Sequence, residues 1–275
     1  MYEFQLFRIK VFPPAQIDAF GQEISKTNIL IQAMKSLPSA ELRKGMIWHV
    51  GNVIRIDGDC LYFRVGRTTK STIEVYQDGS FADQEFETAP YTHAVIDANL
   101  EVCAIAKKTR LSPKTTGVAQ QFMHLLNSAV EVQHLRASFE VDEILDPEDF
   151  IAHLQKAYAI FSFWLTFSKP NPFDVDDDFV KPAQKLLKES NGNKGKLELK
   201  GDTLRHETLE KLARSAGSTG DDAGAWLKSN RRGRKVKKHL KGNPVMIQHE
   251  DVGSEEERRS LLSIVRERYQ RLRGK

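Results

Sequence analysis

The chain has 275 residues, 40% of them hydrophobic and 28% charged, which suits one large folded domain or two small ones and excludes a disordered polyampholyte. No apolar run reaches about 18 residues, which excludes a membrane-spanning helix. The net charge of +4 is unevenly spread: residues 201–275 hold 18 Lys and Arg against 11 Asp and Glu, or +7, and the remainder is −3. A near-neutral body with a basic C-terminal third has the pattern of a scaffold carrying a binding face.

Residues 2–12 alternate in hydrophobicity, but the phase flips between Leu6 and Phe7, so a strand with a bulge or bend is expected. Pro13 and Pro14 end it, and residues 15–37 suit one or two helices. Met46 to Ile56 and Leu61 to Val65 read as strands around the hairpin signal Asp57-Gly58. Ile73 to Tyr76 is a further short strand, with Asp78-Gly79 as its turn. His93 to Asp97 and Glu101 to Ala106 form another pair around Ala98-Asn99. Helical spacing over 116–130 puts Val118, Phe122, Leu125, Leu126 and Ala129 on one face.

Arg136 to Val141 reads as a strand, and Asp146-Pro147 as the start of a helix through Phe150 and Leu154. The run YAIFSFWLTF at 158–167 has the composition of a central buried strand, with Phe161, Phe163 and Leu165 on one face and Ile160 and Trp164 on the other. Beyond it come a helix from the Asp174–Asp178 stretch to about Lys188, a loop at 191–193, a short strand Lys196 to Lys200, and a helix over 202–214 capped by Asp202. The Gly-, Ser- and Asp-rich stretch SAGSTGDDAGAW reads as a flexible loop. Pro244 to His249 suits a last strand. Ser254 and Glu257 make a capping box for a terminal helix with Leu261, Leu262, Val265, Tyr269 and Leu272 as its apolar stripe. The expected class is α+β: an antiparallel-rich sheet with packed helices over 1–145, then a mixed part with a terminal helix over 146–275.

The densest charge feature is KSNRRGRKVKKHLK at 228–241. Lys228, Arg231, Arg232, Arg234, Lys235, Lys237, Lys238 and Lys241 repel one another unless a polyanion compensates them, and a nucleic-acid backbone is the commonest polyanion to do so. Arg forks and Lys point charges neutralise phosphates without reading bases. Trp226 follows three small residues and reads as core rather than as a base-stacking ring. No aromatic pattern of a single-strand platform stands out, so sequence-independent contact with duplex DNA is expected over RNA.

Glu198-Leu199-Lys200 has the E-x-K form of Mg²⁺-dependent nucleases, with Asp174, Asp176, Asp177 or Asp178 as the upstream acid. A helix predicted between them departs from the hairpin that such sites use, so no catalytic residue is assigned. The acids Glu140, Asp142, Glu143, Asp146, Glu148 and Asp149 lack the fixed positions of a calcium loop and read as caps and solvated charge. Cys60, Cys103 and the eight histidines show no metal-finger or His-Glu spacing, so neither a metal site nor a cofactor is expected. Two cysteines and an N-terminus that begins as a strand suit the reducing cytoplasm.

Three stretches carry a resemblance: FRVGRTT at 63–69, HAVIDANLEVCAIAKKTRLSP at 93–113 and FWLTFSKPNPFD at 163–174. Together they resemble bacterial phage-exclusion and abortive-infection proteins of the RexA and KwaB type. The resemblance implies an α+β DNA-binding effector or sensor of the bacterial cytoplasm, homodimeric or joined to a partner protein in an antiviral defence system. It carries no catalytic residue onto this chain. The expected function is therefore DNA binding without catalysis; the alternatives are a nuclease built on Glu198 and Lys200, and a module whose basic segment meets an acidic protein.

Overall fold

The computed structural model describes residues 1–13, 25–168, 185–187, 189–190, 192 and 194–274. The predicted Asp174–Asp178 helix, and the first part of the predicted 15–37 helix, fall outside these residues. The fold is α+β, with an antiparallel sheet in the N-terminal half and a helix at the C-terminal end. The chain divides into two compact units, interleaved in sequence.

The first unit comprises Met1–Gln5, Val11–Val141 and Gln248–Leu262. Its strands are β1 (Tyr2–Phe12), β2 (Ser39–Arg43), β3 (Met46–Asp57), β4 (Cys60–Gln77), β5 (Ser80–Thr88), β6 (Tyr91–Asp97) and β7 (Val102–Ala106). They are ordered β1-β7-β6-β4-β3-β2, with β5 paired to the outer half of β4. The two short strands expected at 61–65 and 73–76 are one strand of 18 residues. At its far end Asp78 and Gly79 both have positive φ, as a two-residue hairpin turn requires. Two helices, α1 (Lys26–Lys35) and α2 (Thr115–Ser128), and the short α3 (Val130–His134) pack on this unit. Val118, Phe122, Leu125 and Leu126 of α2 are buried as their spacing dictates, and Phe122 stacks on Phe63 with ring centroids 5.0 Å apart. The phase flip in β1 has a simple cause: every residue from Phe4 to Val11 is buried, so neither face is reserved for solvent, and apolar residues alternate with buried, partnered polar ones such as Arg8 and Lys10.

The second unit comprises Leu6–Lys10, Asp142–Ile247 and Ser263–Lys275. It contains α4 (Glu148–Gln155), β9 (Ala159–Ser168), β10 (Lys194–Lys200), α5 (His206–Thr219), β11 (Ala223–Lys228) and β12 (Val236–His239). The strands form an antiparallel sheet ordered β10-β9-β11-β12, so the aromatic strand is central. Helices α4 and α5 cover one face. Phe150, Ile151 and Leu154 from α4, and Leu209, Leu212, Ala213 and Ala216 from α5, close over Phe163, Leu165, Ala225 and Leu227.

The stretch read as a flexible Gly/Ser/Asp loop is the end of α5 and the start of β11. Its small residues serve packing. A Cβ at Gly217 would lie 2.9 Å from the Leu145 carbonyl oxygen, and Gly220 ends α5 in the left-handed region at φ 68°. Asp221 is held by the Lys10 ammonium, with Nζ 2.9 Å from its Oδ1 and 3.0 Å from Asp142 Oδ2.

The remaining elements are β8 (Ser138–Glu143), β13 (Met246–His249) and the terminal helix α6 (Glu255–Leu272). Ser254 and Glu257 form the reciprocal box: the Ser254 N–H donates to Glu257 Oε2 at 2.8 Å, and the Glu257 N–H to Ser254 Oγ at 3.1 Å. Other caps fall elsewhere than the sequence suggests. Helix α5 begins after Arg205, not Asp202, and α4 begins after Pro147, with Asp146 accepting the Glu148 N–H.

Candidate nucleic-acid interface

The face of the four-stranded sheet opposite α4 and α5 carries the chemistry. Strand alternation turns Leu197 and Leu199 of β10 inward, which leaves Lys194, Lys196, Glu198 and Lys200 exposed on the other side. On β9 the alternation is broken. Trp226 pairs with Ser162 and Leu227 with Ile160, so Phe161 is the extra residue of a bulge. The bulge returns Ile160 to the buried core with Phe163, Leu165 and Phe167. Phe161 is thereby parted from Phe163 and Leu165, with which simple alternation groups it, and instead meets the lysines of the open face.

Three aromatic rings lie among these lysines. The Lys235 ammonium sits 4.0 Å from the centroid of Phe161, with Lys228 at 5.7 Å. Trp164 has Lys196 at 4.8 Å and Lys237 at 5.9 Å, and His239 edge-on at 5.6 Å. Its indole lies across β11 at Gly224, where a Cβ would come within 2.8 Å of the ring. Only a glycine fits there. Trp164 is thus largely covered, at 9% exposure, whereas Trp226 is 42% exposed. The expectation that Trp226 belongs to the core is corrected: on β11 its neighbours Ala225 and Leu227 point inward, and Trp226 must point out.

The basic segment is a β-hairpin rather than a loop. Lys228 ends β11, Arg231 and Arg232 lie in the turn, Arg234 and Lys235 lead into β12, and Lys237 and Lys238 are in that strand, with Lys241 just beyond. The turn is closed by the Gly233 N–H donating to the Asn230 carbonyl at 3.1 Å. Register places Lys237 opposite Trp226 and Lys238 opposite Ala225, so the hairpin sends Lys237 to the open face and Lys238 to the other. Arg231, Arg232, Arg234, Lys235, Lys237 and Lys241 are exposed, and Lys228 and Lys238 are half-buried. Among the described residues, none of these eight cations makes an ion pair. The open face adds Lys194 and Lys196, which sequence reasoning did not single out, and Lys200, which it considered only as the lysine of the E-x-K form; their signal as a face was the K-x-K-x-E-x-K alternation on β10.

Glu198 is paired with its neighbour on that face, Lys200 Nζ lying 3.4 Å from Glu198 Oε1. Both are exposed strand positions, and Asp174 to Asp178 lie outside the described residues. Members of the acidic cluster serve as partners: Asp142 for Lys10, Glu148 for Arg214, and Asp146 for Arg268 at 3.6 Å. Among the described residues no three His, Cys, Asp or Glu side chains gather as a metal site. Cys60 and Cys103 are buried thiols, and burial pushes Cys103 up. No described helix is long and apolar enough to cross a membrane.

In the first unit His93 is the one strongly displaced imidazole, lowered to about 4 by burial first and then by the charges of Arg64 and Lys108. Arg64 Nε donates to Tyr62 Oη at 3.4 Å, leaving the phenol proton for His93 Nδ1 at 2.6 Å. A base this weak is poorly matched to proton transfer at neutral pH, so the arrangement reads as structural. No known protein family matches the chain, and no curated protein matches it.

Proposed function

We propose that this protein binds DNA without sequence preference, engaging phosphates through the basic hairpin Lys228–Lys241. The observation that carries the reading is the hairpin's charge: eight cations, unpaired among the described residues, border a sheet face lined by further lysines. Such a field attracts a polyanion and gains from counterion release on binding. The resemblance to phage-exclusion and abortive-infection proteins supports a place in bacterial antiviral defence, in the cytoplasm. Arg231, Arg232 and Arg234 contribute affinity rather than stability, because exposed charges add little to folding.

The test is a binding titration against salt, with and without Mg²⁺. Changing Arg231, Arg232 and Arg234 together to Ala should weaken binding at least about tenfold and flatten the log–log salt slope by about two to three. Wild-type affinity and slope in this variant would overturn the reading. Shortening of the probe once Mg²⁺ is added would make the protein a nuclease instead.

A further inference from the structure

The open sheet face holds one feature that phosphate contact does not use. Trp226 is a large aromatic ring, 42% exposed, on an inner strand of the sheet. Among the described residues no ring or cation covers it, in contrast to Phe161 and Trp164, each of which is capped by two lysines. Its cross-strand neighbours on the open face are the small Ser162 and the long, flexible Lys237. One strand position away Gly224 contributes no side chain, and the Trp164 indole fills that floor. The outcome is an indole beside a shallow floor, bordered by Lys194, Lys196 and Lys200 on one side and Lys228, Lys235 and Lys237 on the other.

We infer that this face is a platform for single-stranded DNA, with one base stacked on Trp226 and the lysines of β10, β11 and β12 taking the flanking phosphates. The inference rests on the DNA-binding reading and sharpens it. A duplex keeps its base faces inside its own stack and offers Trp226 nothing, whereas an unpaired strand presents π-faces and phosphates together. A four-stranded sheet with an exposed aromatic is a physical form that suits splayed bases. Charge complementarity selects the occupant: six lysines and one Glu on this face oppose an acidic protein less specifically than they fit a chain of alternating phosphates and rings. On this proposal the bound strand is single, where the sequence alone suggested a duplex.

The test uses the full chain with fluorescent oligo-dT, oligo-rU and a duplex of equal length at one salt concentration. Wild type should bind oligo-dT at least about fivefold more tightly than duplex. Trp226→Ala should lose about tenfold on oligo-dT and change duplex binding by less than about twofold, the size of one lost base–aromatic stack. Trp226→Phe should keep most of the affinity, and Trp226→Leu, apolar without a π-face, should behave as Trp226→Ala does. The Phe and Leu variants hold the comparison if the Ala variant melts early. Arg231, Arg232 and Arg234 changed together to Ala should weaken both DNA probes alike.

Wild-type oligo-dT affinity in both Trp226→Ala and Trp226→Leu would overturn the platform and leave DNA binding standing. Equal affinity for duplex and oligo-dT would do the same. Tighter binding of oligo-rU would overturn the assignment to DNA. Wild-type protein that binds no probe would overturn the DNA-binding reading itself, and the platform with it.

Discussion

Single residues show where charge is tolerated and where it is not. His93 is held neutral in the fold: burial lowers its pKa to about 4 from an ordinary 6.5, and Arg64 and Lys108 add to the effect. Between those values the unfolded chain binds a proton that the folded protein refuses. Stability from this residue is therefore intact above about 6.5, falls as the pH drops towards about 4, and levels off below. His93→Gln removes the titration. Urea midpoints measured across this window should fall more steeply for wild type than for His93→Gln. Parallel curves would mean that the folded protein accepts the proton after all. None of this was legible in the sequence, where His93 is one of eight histidines, because the shift arises first from burial and then from Arg64, 29 positions back.

At the scale of elements, periodic segments were legible and compositional ones were not. Helix α2, helix α6 with its capping box, and the hairpins turning at Gly58 and Gly79 follow from spacing and turn chemistry. Strand β2, SAELR, is only five residues long with two apolar positions and no β-branched or aromatic residue, and β5 is exposed along most of its length, so neither announces itself. Read by composition, the glycines and serines before Trp226 suggested a loop. Two of the glycines are there because Leu145 and Trp164 press against Gly217 and Gly224. The candidate site suffered the same way. The cationic run was visible, but the bulge at Phe161 and the pairing of β10 with β9, which build the aromatic and lysine face, depend on long-range register.

This architecture changes what amide exchange should show. Residues 215–219 and 223–228 should be protected in the free protein as helix and strand, and added DNA should raise protection mainly from 229 to 235, where the turn is exposed. Rapid exchange across 215–222 without DNA would contradict the helix.

The two units do not follow one another along the chain, and the second depends on a segment of the first strand. Leu6–Lys10 belongs to the second unit although it lies within the first strand, and residues 248–262 return to the first. Lys10 illustrates the dependence. Burial opposes its charge, but Asp221 and Asp142 outweigh that effect and raise its pKa. Lys10→Met would leave Asp221 with a buried, uncompensated carboxylate, and should cost about 3 kcal/mol in chemical denaturation. Replacing Asp221 by Asn in the same chain should recover part of the loss. Full stability of Lys10→Met alone would show that the ion pair is dispensable.

That interleaving has a consequence for how the protein is made. A ribosome releases the chain from one end, and a unit assembled from contiguous residues folds as soon as it emerges. Here the second unit waits for residues 263–275 and the first for residues 248–262, so neither closes before those segments have emerged. Until then the nascent chain exposes strand edges and the apolar run at 159–167, the condition under which a chaperone is most needed.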